Sequence, residues 1–431
     1  MSLGSPCRNF VLAGFAVSLS ASLCAGDWPG WRGPNRDAIS AEKGLMAEWP
    51  KEGLSLLWKM QGLGRGYSSI AVAGGRIFTM GDRALTEGGE AQFVLAFDLA
   101  TQKELWAARV GEPHRDGGPR GTPTVDGERV YAIGTSGDLV CLDAASGGEK
   151  WRKSFEKDFG GRMMSGWRYS ESPLVDGEHL VCTPGGKNAV MAALDKKTGA
   201  EIWRCALPDV GGGGQDGAGY SSIVVSEACG VRQYIQIIGR GAIGVAAKDG
   251  AFMWGYNRIA NGVANITTPV VRNDLVFVST AYGTGSALLR LVPAGGGVKA
   301  EEVYFLGADT FQNHHGGVVL VGDHVYGGHG QNAGAPMCIE LATGKVAWKE
   351  RAPFRGSAAV LYADGHLYFR YENGDGLTLV EATPQEYREK SRIKTDGEGG
   401  GPAWAHPVIL DGKLYLRRND FLVCYQVAPP K

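Results

Sequence analysis

An acidic residue followed eight positions later by tryptophan, with a turn pair ending four positions before the ring, recurs along this chain. No other feature limits its fold as strongly. The fullest copy lies in Gly134–Trp151: Asp138–Asp143 is a short apolar run, Ser146-Gly147 reverses the chain, and Trp151 falls on the return strand. Asp195, Thr198-Gly199 and Trp203 repeat it, as do Glu340, Thr343-Gly344 and Trp348. Asp98 and Trp106 keep the frame around Thr101-Gln102, and Asp249-Gly250 and Trp254 keep it with Ala246 in the acid's place. The first five rings, counted from Trp58, stand about 45–52 residues apart, a period that belongs to propeller blades.

A second piece precedes each unit. Thr122-Pro123 leads to Asp126-Gly127, Ser172-Pro173 to Asp176-Gly177, and His406-Pro407 to Asp411-Gly412, with an apolar run after each; Thr268-Pro269 starts a related copy. Strand, Asp-Gly turn, strand is a strong hairpin signal. Weaker copies begin at Tyr67, Tyr220, Gly316 and Gly356. Eight hairpins joined to eight outer pairs predict an all-β, eight-bladed β-propeller of four-stranded antiparallel blades. The last blade is one strand short after Phe421–Tyr425, whereas Leu54–Met60, carrying Trp58, has no hairpin before it. Leu54–Met60 is therefore expected as the outer strand of the last blade, which closes the ring and removes an open edge. The expected division is a signal peptide over 1–26, an extended arm over 27–53 and the propeller over 54–431.

The signal reading rests on Arg8, the apolar stretch Phe10–Leu19 and the small residues of Ala21–Gly26. It implies an exported protein, periplasmic or extracellular. Cys24 has Ala21 and Leu23 before it, a poor lipidation site, so a lipoprotein is not expected. No later stretch is long enough to span a bilayer as a helix. A net charge of −1 gives no reason to expect nucleic acid as partner, and a monomer is expected. Cys141, Cys338 and Cys424 share one register in non-adjacent blades and cannot meet; a Cys205–Cys229 disulfide is left open.

Three departures from the period are legible. Asp27–Asn35 holds too much Pro and Gly for regular structure, and is read as an arm packing Trp28 and Trp31 on the barrel wall, with a ligand role for these rings as the alternative. Blade five lacks its ring, and Tyr304 or Phe305 is expected there. Blade seven replaces the tight corner with Glu381–Lys390, read as one helical turn, and puts Ile393 in the ring's place. Trp58, Trp106, Trp151, Trp203, Trp254 and Trp348 are read as core. Asp98, Asp143, Asp195 and Glu340, one per blade, are read as turn devices that accept backbone N–H groups and not as catalytic acids.

The run Leu-Val-Cys-Leu-Asp143-Ala-Ala-Ser-Gly147-Gly-Glu-Lys-Trp151 resembles the repeat of the pyrroloquinoline-quinone-like β-propellers. That superfamily includes quinoprotein alcohol dehydrogenases and a propeller lipoprotein of the outer-membrane β-barrel assembly machinery. The resemblance covers nearly all of the chain after the signal, and it carries fold more than function. Its enzymes hold the quinone PQQ with a Trp floor, a vicinal disulfide and Ca²⁺. This chain has no Cys-Cys pair and no acid cluster matching the calcium ligands, so no cofactor is assigned, and PQQ stays a candidate that lacks its vicinal pair.

Function in such a ring is expected at the channel mouth, on loops entering the innermost strands. In order these loops offer Arg65, Tyr67, Arg120, Trp167, Arg168, Tyr169, Glu171, Asp216 and Tyr220, then Asn265, His314, His315, Arg355, Trp404 and His406, with His329 on an adjoining loop. Arginines suit carboxylate or sulfate, and aromatics suit flat rings or sugar faces. The expected ligand is a small anion or a saccharide. His314-His315 with His329 and His406 raises a metal, but adjacent strand residues point to opposite faces, and none is expected. The sequence thus favours a non-catalytic binding or protein-interaction scaffold. The alternatives are a quinone-dependent dehydrogenase and an envelope assembly factor.

Overall fold

The computed structural model describes residues 26–114, 116–373, 376–395 and 400–430. The signal reading lies outside the described residues except for Gly26. Among them, eight sheets follow one another along the chain, each antiparallel over four strands. Blade two is typical, running from Thr124–Asp126 through Arg129–Ile133 and Asp138–Asp143 to Glu149–Ser154. In the last blade, Leu56–Gln61 pairs antiparallel with Phe421–Gln426 and places Trp58 opposite Cys424. The ring is closed as the sequence predicts. No helix of the described residues is long and apolar enough to cross a membrane.

The acid-to-tryptophan frame joins one blade to the next. A bulge precedes each ring, so that Trp151 faces Cys141 and Trp203 faces Ala193 with one extra residue behind them. The ring then reaches the following blade's corner. Trp106 Nε1 donates to Ala144 O at 3.2 Å, Trp151 to Lys196 O at 3.2 Å, Trp203 to Ala247 O at 3.1 Å and Trp348 to Thr383 O at 2.8 Å. The corner glycine packs on the same ring: a Cβ on Gly147 would stand 2.7 Å from Trp106, and one on Gly199 2.7 Å from Trp151. The acids hold those corners. Asp143 Oδ1 accepts from Ala145 N, Ser146 N and Ser146 Oγ, each at 3.0 Å, and Asp98 and Asp195 do the same. Glu340 keeps only the hydroxyl contact, from Thr343 Oγ1 at 2.7 Å.

The exceptions have local causes. In blade five Tyr304 takes the ring's place, and its hydroxyl donates to Leu341 O at 2.8 Å. Trp254 turns instead to Gln233 Oε1 at 2.8 Å, and the carbonyl it would have met, Leu291 O, faces Cys229 Sγ at 3.3 Å. None of the six described cysteines forms a disulfide, Cys205 and Cys229 included.

Blade seven corrects two expectations. Ile393 faces Leu377, while Ser391, opposite Leu379 beside the bulge, stands in the ring's register. Trp49 of the arm fills the gap: its backbone N–H donates to Ser391 Oγ at 2.7 Å, its indole lies 6.0 Å from Tyr368, and it is 4% exposed. The corner after Glu381 forms no helical turn, because Glu381 N bonds Arg388 O at 3.0 Å and extends the ladder across it.

The arm also departs from expectation. Trp28 pairs with Val72 and is buried, but Trp31 leaves the wall and enters the channel. The segment crosses the end where the inner hairpins turn. Pro29 O accepts Val125 N at 2.7 Å, Arg36 Nη2 donates to Ser172 O at 2.7 Å, and Arg32 Nη2 donates to Val318 O. Ile39–Ser40 then adds a parallel fifth strand to blade seven. Positive φ at Arg32 (61°), Arg36 (59°) and Ala38 (60°) turns the chain back into the hole.

Candidate functional site

The arm floors the channel, leaving a pocket of 230 Å³ open toward the opposite face. Trp31 and Arg32 form its base, hydroxyls just before the inner strands, such as Thr268 and Ser222, line its wall, and Arg120 and Trp167 rim its mouth. Trp31 is fixed by donating to Thr268 Oγ1 at 3.2 Å and by packing 4.5 Å from His406. Above it, Tyr67 and Trp404 are 4.4 Å apart, with the Arg120 guanidinium 5.5 Å and 5.8 Å from their rings. Arg120 is positioned by Trp167 O at 3.2 Å and Asp116 O at 3.1 Å, with no carboxylate contact among the described residues.

The imidazoles are held neutral. Burial, then the charges of His314, His406 and Arg120, push His315 well below the ordinary value. Burial and Arg32 push His406 down to about 3. Burial also lowers His314, whose two nitrogens contact Tyr282 Oη and Ser357 Oγ at 2.9 Å each. Arg32, lowered by burial to about 10, stays a cation at neutral pH. Among the described residues, no Asp or Glu lines the pocket. Glu372 stands behind the wall, 3.7 Å from His315 and accepting Ser357 N at 3.0 Å. Arg32, which also feels the charge of Asp37, and Arg120 thus bring the formal charge of the lining, framed by aromatic faces.

Of the sequence-predicted residues, Tyr67, Arg120, Trp167, Tyr220, His314, His315, Trp404 and His406 line this pocket. The others stand elsewhere. Arg65 pairs with Glu90, Asp216 with Arg162 and Arg240, and Arg168 and Arg355 are exposed. Tyr169 donates to Pro184 O, and Asn265 to Ile238 O and Gly239 O. His329 packs on Phe311, while Glu171 is buried against Thr183 and Gln236. Among the described residues no three His, Cys, Asp or Glu side chains gather as a metal site. Sequence reasoning passed over Arg32 and Tyr282. A lone Arg in a Pro/Gly-rich stretch reads as solvated, and Tyr282 sits in a loop with no repeat signal.

Ring, repeat and channel define the chain as a pyrroloquinoline-quinone-like β-propeller. The family model described as outer membrane protein assembly factor BamB matches residues 90–350, and the chain belongs to that family. BamB of Shewanella oneidensis is 21% identical over 373 residues, covering 72% of this chain and 85% of that protein. BamB of Burkholderia pseudomallei is 30% identical over 142 residues, only 33% of its own length. Among solved structures, BamB from Moraxella catarrhalis superposes with a TM-score of 0.61 at 14% identity, covering 86% of this chain and 99% of the other. Quinohemoprotein alcohol dehydrogenase from Comamonas testosteroni gives 0.63 at 14% identity, covering 95% and 82%. At such identity these neighbours speak for fold alone. The described residues do not fit a calcium-bound quinone: calcium wants oxygen ligands, chiefly carboxylates, and no carboxylate among them lines the pocket wall.

Proposed function

We propose that the protein is an exported, non-catalytic propeller of the cell envelope that binds a small anionic or saccharide-like ligand in its floored channel. The observation that carries this is the pocket's charge balance: among the described residues, Arg32 and Arg120 line a space with aromatics and no carboxylate. Such a wall favours an anion with a flat face. The serine hydroxyl in contact with a pocket imidazole, Ser357 Oγ against His314, is buried and lies outside the lining residues, which favours binding over chemistry at that pair. The test is quenching of the pocket tryptophans during titration with uronates, sugar sulfates and aromatic carboxylates. Arg120→Ala is expected to weaken a bound anion at least tenfold. No response to any anion in the panel overturns the reading.

The second reading is an outer-membrane assembly scaffold, and the family match over residues 90–350 favours it. Affinity capture from solubilised envelopes tests it: recovery of outer-membrane assembly proteins supports the role, and capture no better than with an unrelated propeller removes it.

A further inference from the structure

We infer that the arm supplies the pocket's specificity, and that Arg32 and His406 together select a hexose carrying one negative group. The inference rests on the channel being a ligand site and adds what that site recognises. Arg32 is 3% exposed and His406 5% exposed, and both line the pocket floor. Arg32 spends Nη2 on Val318 O and Asp37 O and feels the charge of Asp37, while its Nη1 and Nε have no hydrogen-bond partner among the described residues. A guanidinium buried in this way keeps unused donors only at a cost that an anion would remove.

His406 adds the opposite requirement. Its Nε2 lies 3.1 Å from His315 O, and a carbonyl only accepts, so Nε2 carries the proton. Nδ1 is then a bare acceptor, buried and without a partner. Trp404 Nε1 is a further buried donor without one. An anion alone satisfies the donors and leaves Nδ1 empty. A simple aromatic acid has no hydroxyl for it. A hydroxylated ring with one acidic group satisfies both, and sugar C–H faces suit the Trp31 and Trp404 rings. The room is right for one such unit: a cavity of roughly 150 Å³ takes a benzene molecule, and this one measures 230 Å³. The acidic group is a carboxylate or a sulfate ester, both within the reach of one arginine.

Arg32 also adopts φ 61°, where a side chain is strained, and Gly317 leaves room for its Nη1. Strain of this kind persists where the surroundings fix it, often at binding sites.

Calorimetric titration of the full chain with D-glucuronate, glucose 6-sulfate, D-glucose and benzoate tests the inference. One or both acidic hexoses are expected to bind at least tenfold tighter than glucose and benzoate, and the relative affinities separate carboxylate from sulfate. Arg32→Gln is expected to abolish that preference, and Arg32→Lys to restore part of it. Should Arg32→Gln fail to fold, Trp404→Phe leaves the arm untouched and is expected to weaken the acidic hexose several-fold. Benzoate binding as tightly as the acidic hexoses overturns the inference while the anion pocket stands. Glucose binding as tightly overturns it too, and no binding by any probe overturns both.

Discussion

At the residue scale, the repeat's glycines divide into two kinds that sequence cannot separate. Gly127 and Gly147 both have positive φ, 55° and 72°, but a Cβ on Gly127 meets nothing within 4 Å, whereas one on Gly147 runs into Trp106. Gly127→Ala is expected to cost about 1 kcal/mol, the strain of the left-handed conformation alone. Gly147→Ala adds the displaced indole, roughly 1–3 kcal/mol more. Urea midpoints of the two variants measure the difference, and equal losses would mean that the corner does not pack on the ring. Glu171 is a second residue-scale case. Burial raises its carboxyl from 4.5 to about 7 against the hydrogen bonds of Thr183 and the charge of Arg36. The folded state holds this proton more tightly than the unfolded chain. Its contribution is therefore complete below about pH 4.5 and is lost as pH rises through about 7. Glu171→Gln is expected to flatten the decline in stability between those values by up to about 3 kcal/mol. An unchanged slope would place the titration elsewhere. The turn acids were legible in the sequence because they repeat. Glu171 was visible only as a polar residue near the mouth, because its burial depends on the neighbouring blade.

At the element scale, the arm does what the repeat leaves undone. Trp49 sits far from blade seven in sequence yet fills the ring position that Ser391 leaves empty. The period identified blade seven as irregular. It could not name the replacement, since the partner is brought in by a segment outside the period. Trp49→Ala is expected to cost about 3–5 kcal/mol, as loss of a buried Trp does. Ile393→Ala should cost less, because Ile393 is only partly buried against the core. Thermal unfolding of the pair checks this, and the reverse order would put Ile393 back in the ring's place. The arm's route was equally hidden: Pro and Gly announced irregular structure, but only the shape of the channel decides that Trp31 and Arg32 enter it.

At the scale of the whole molecule, one arrangement governs the rest: the N-terminal segment closes the wheel and floors its hole. Blade count and closure were legible because a propeller repeats its corner, and because one unpaired strand at each end of the chain leaves a single solution. The pocket was half legible, since mouth loops can be read from the hairpins whereas the floor cannot. The direct measurement is a cross-link. Gln61 faces Phe421 across the closing pair, and antiparallel partners stand close enough for a disulfide, about 4.5–5.5 Å between Cα atoms. The double variant Gln61→Cys, Phe421→Cys is predicted to oxidise to one intramolecular disulfide, seen by mass spectrometry of the peptides, and to melt at a higher temperature than its reduced form. Two free thiols after oxidation, in a folded protein, would contradict the closure and with it the floored channel.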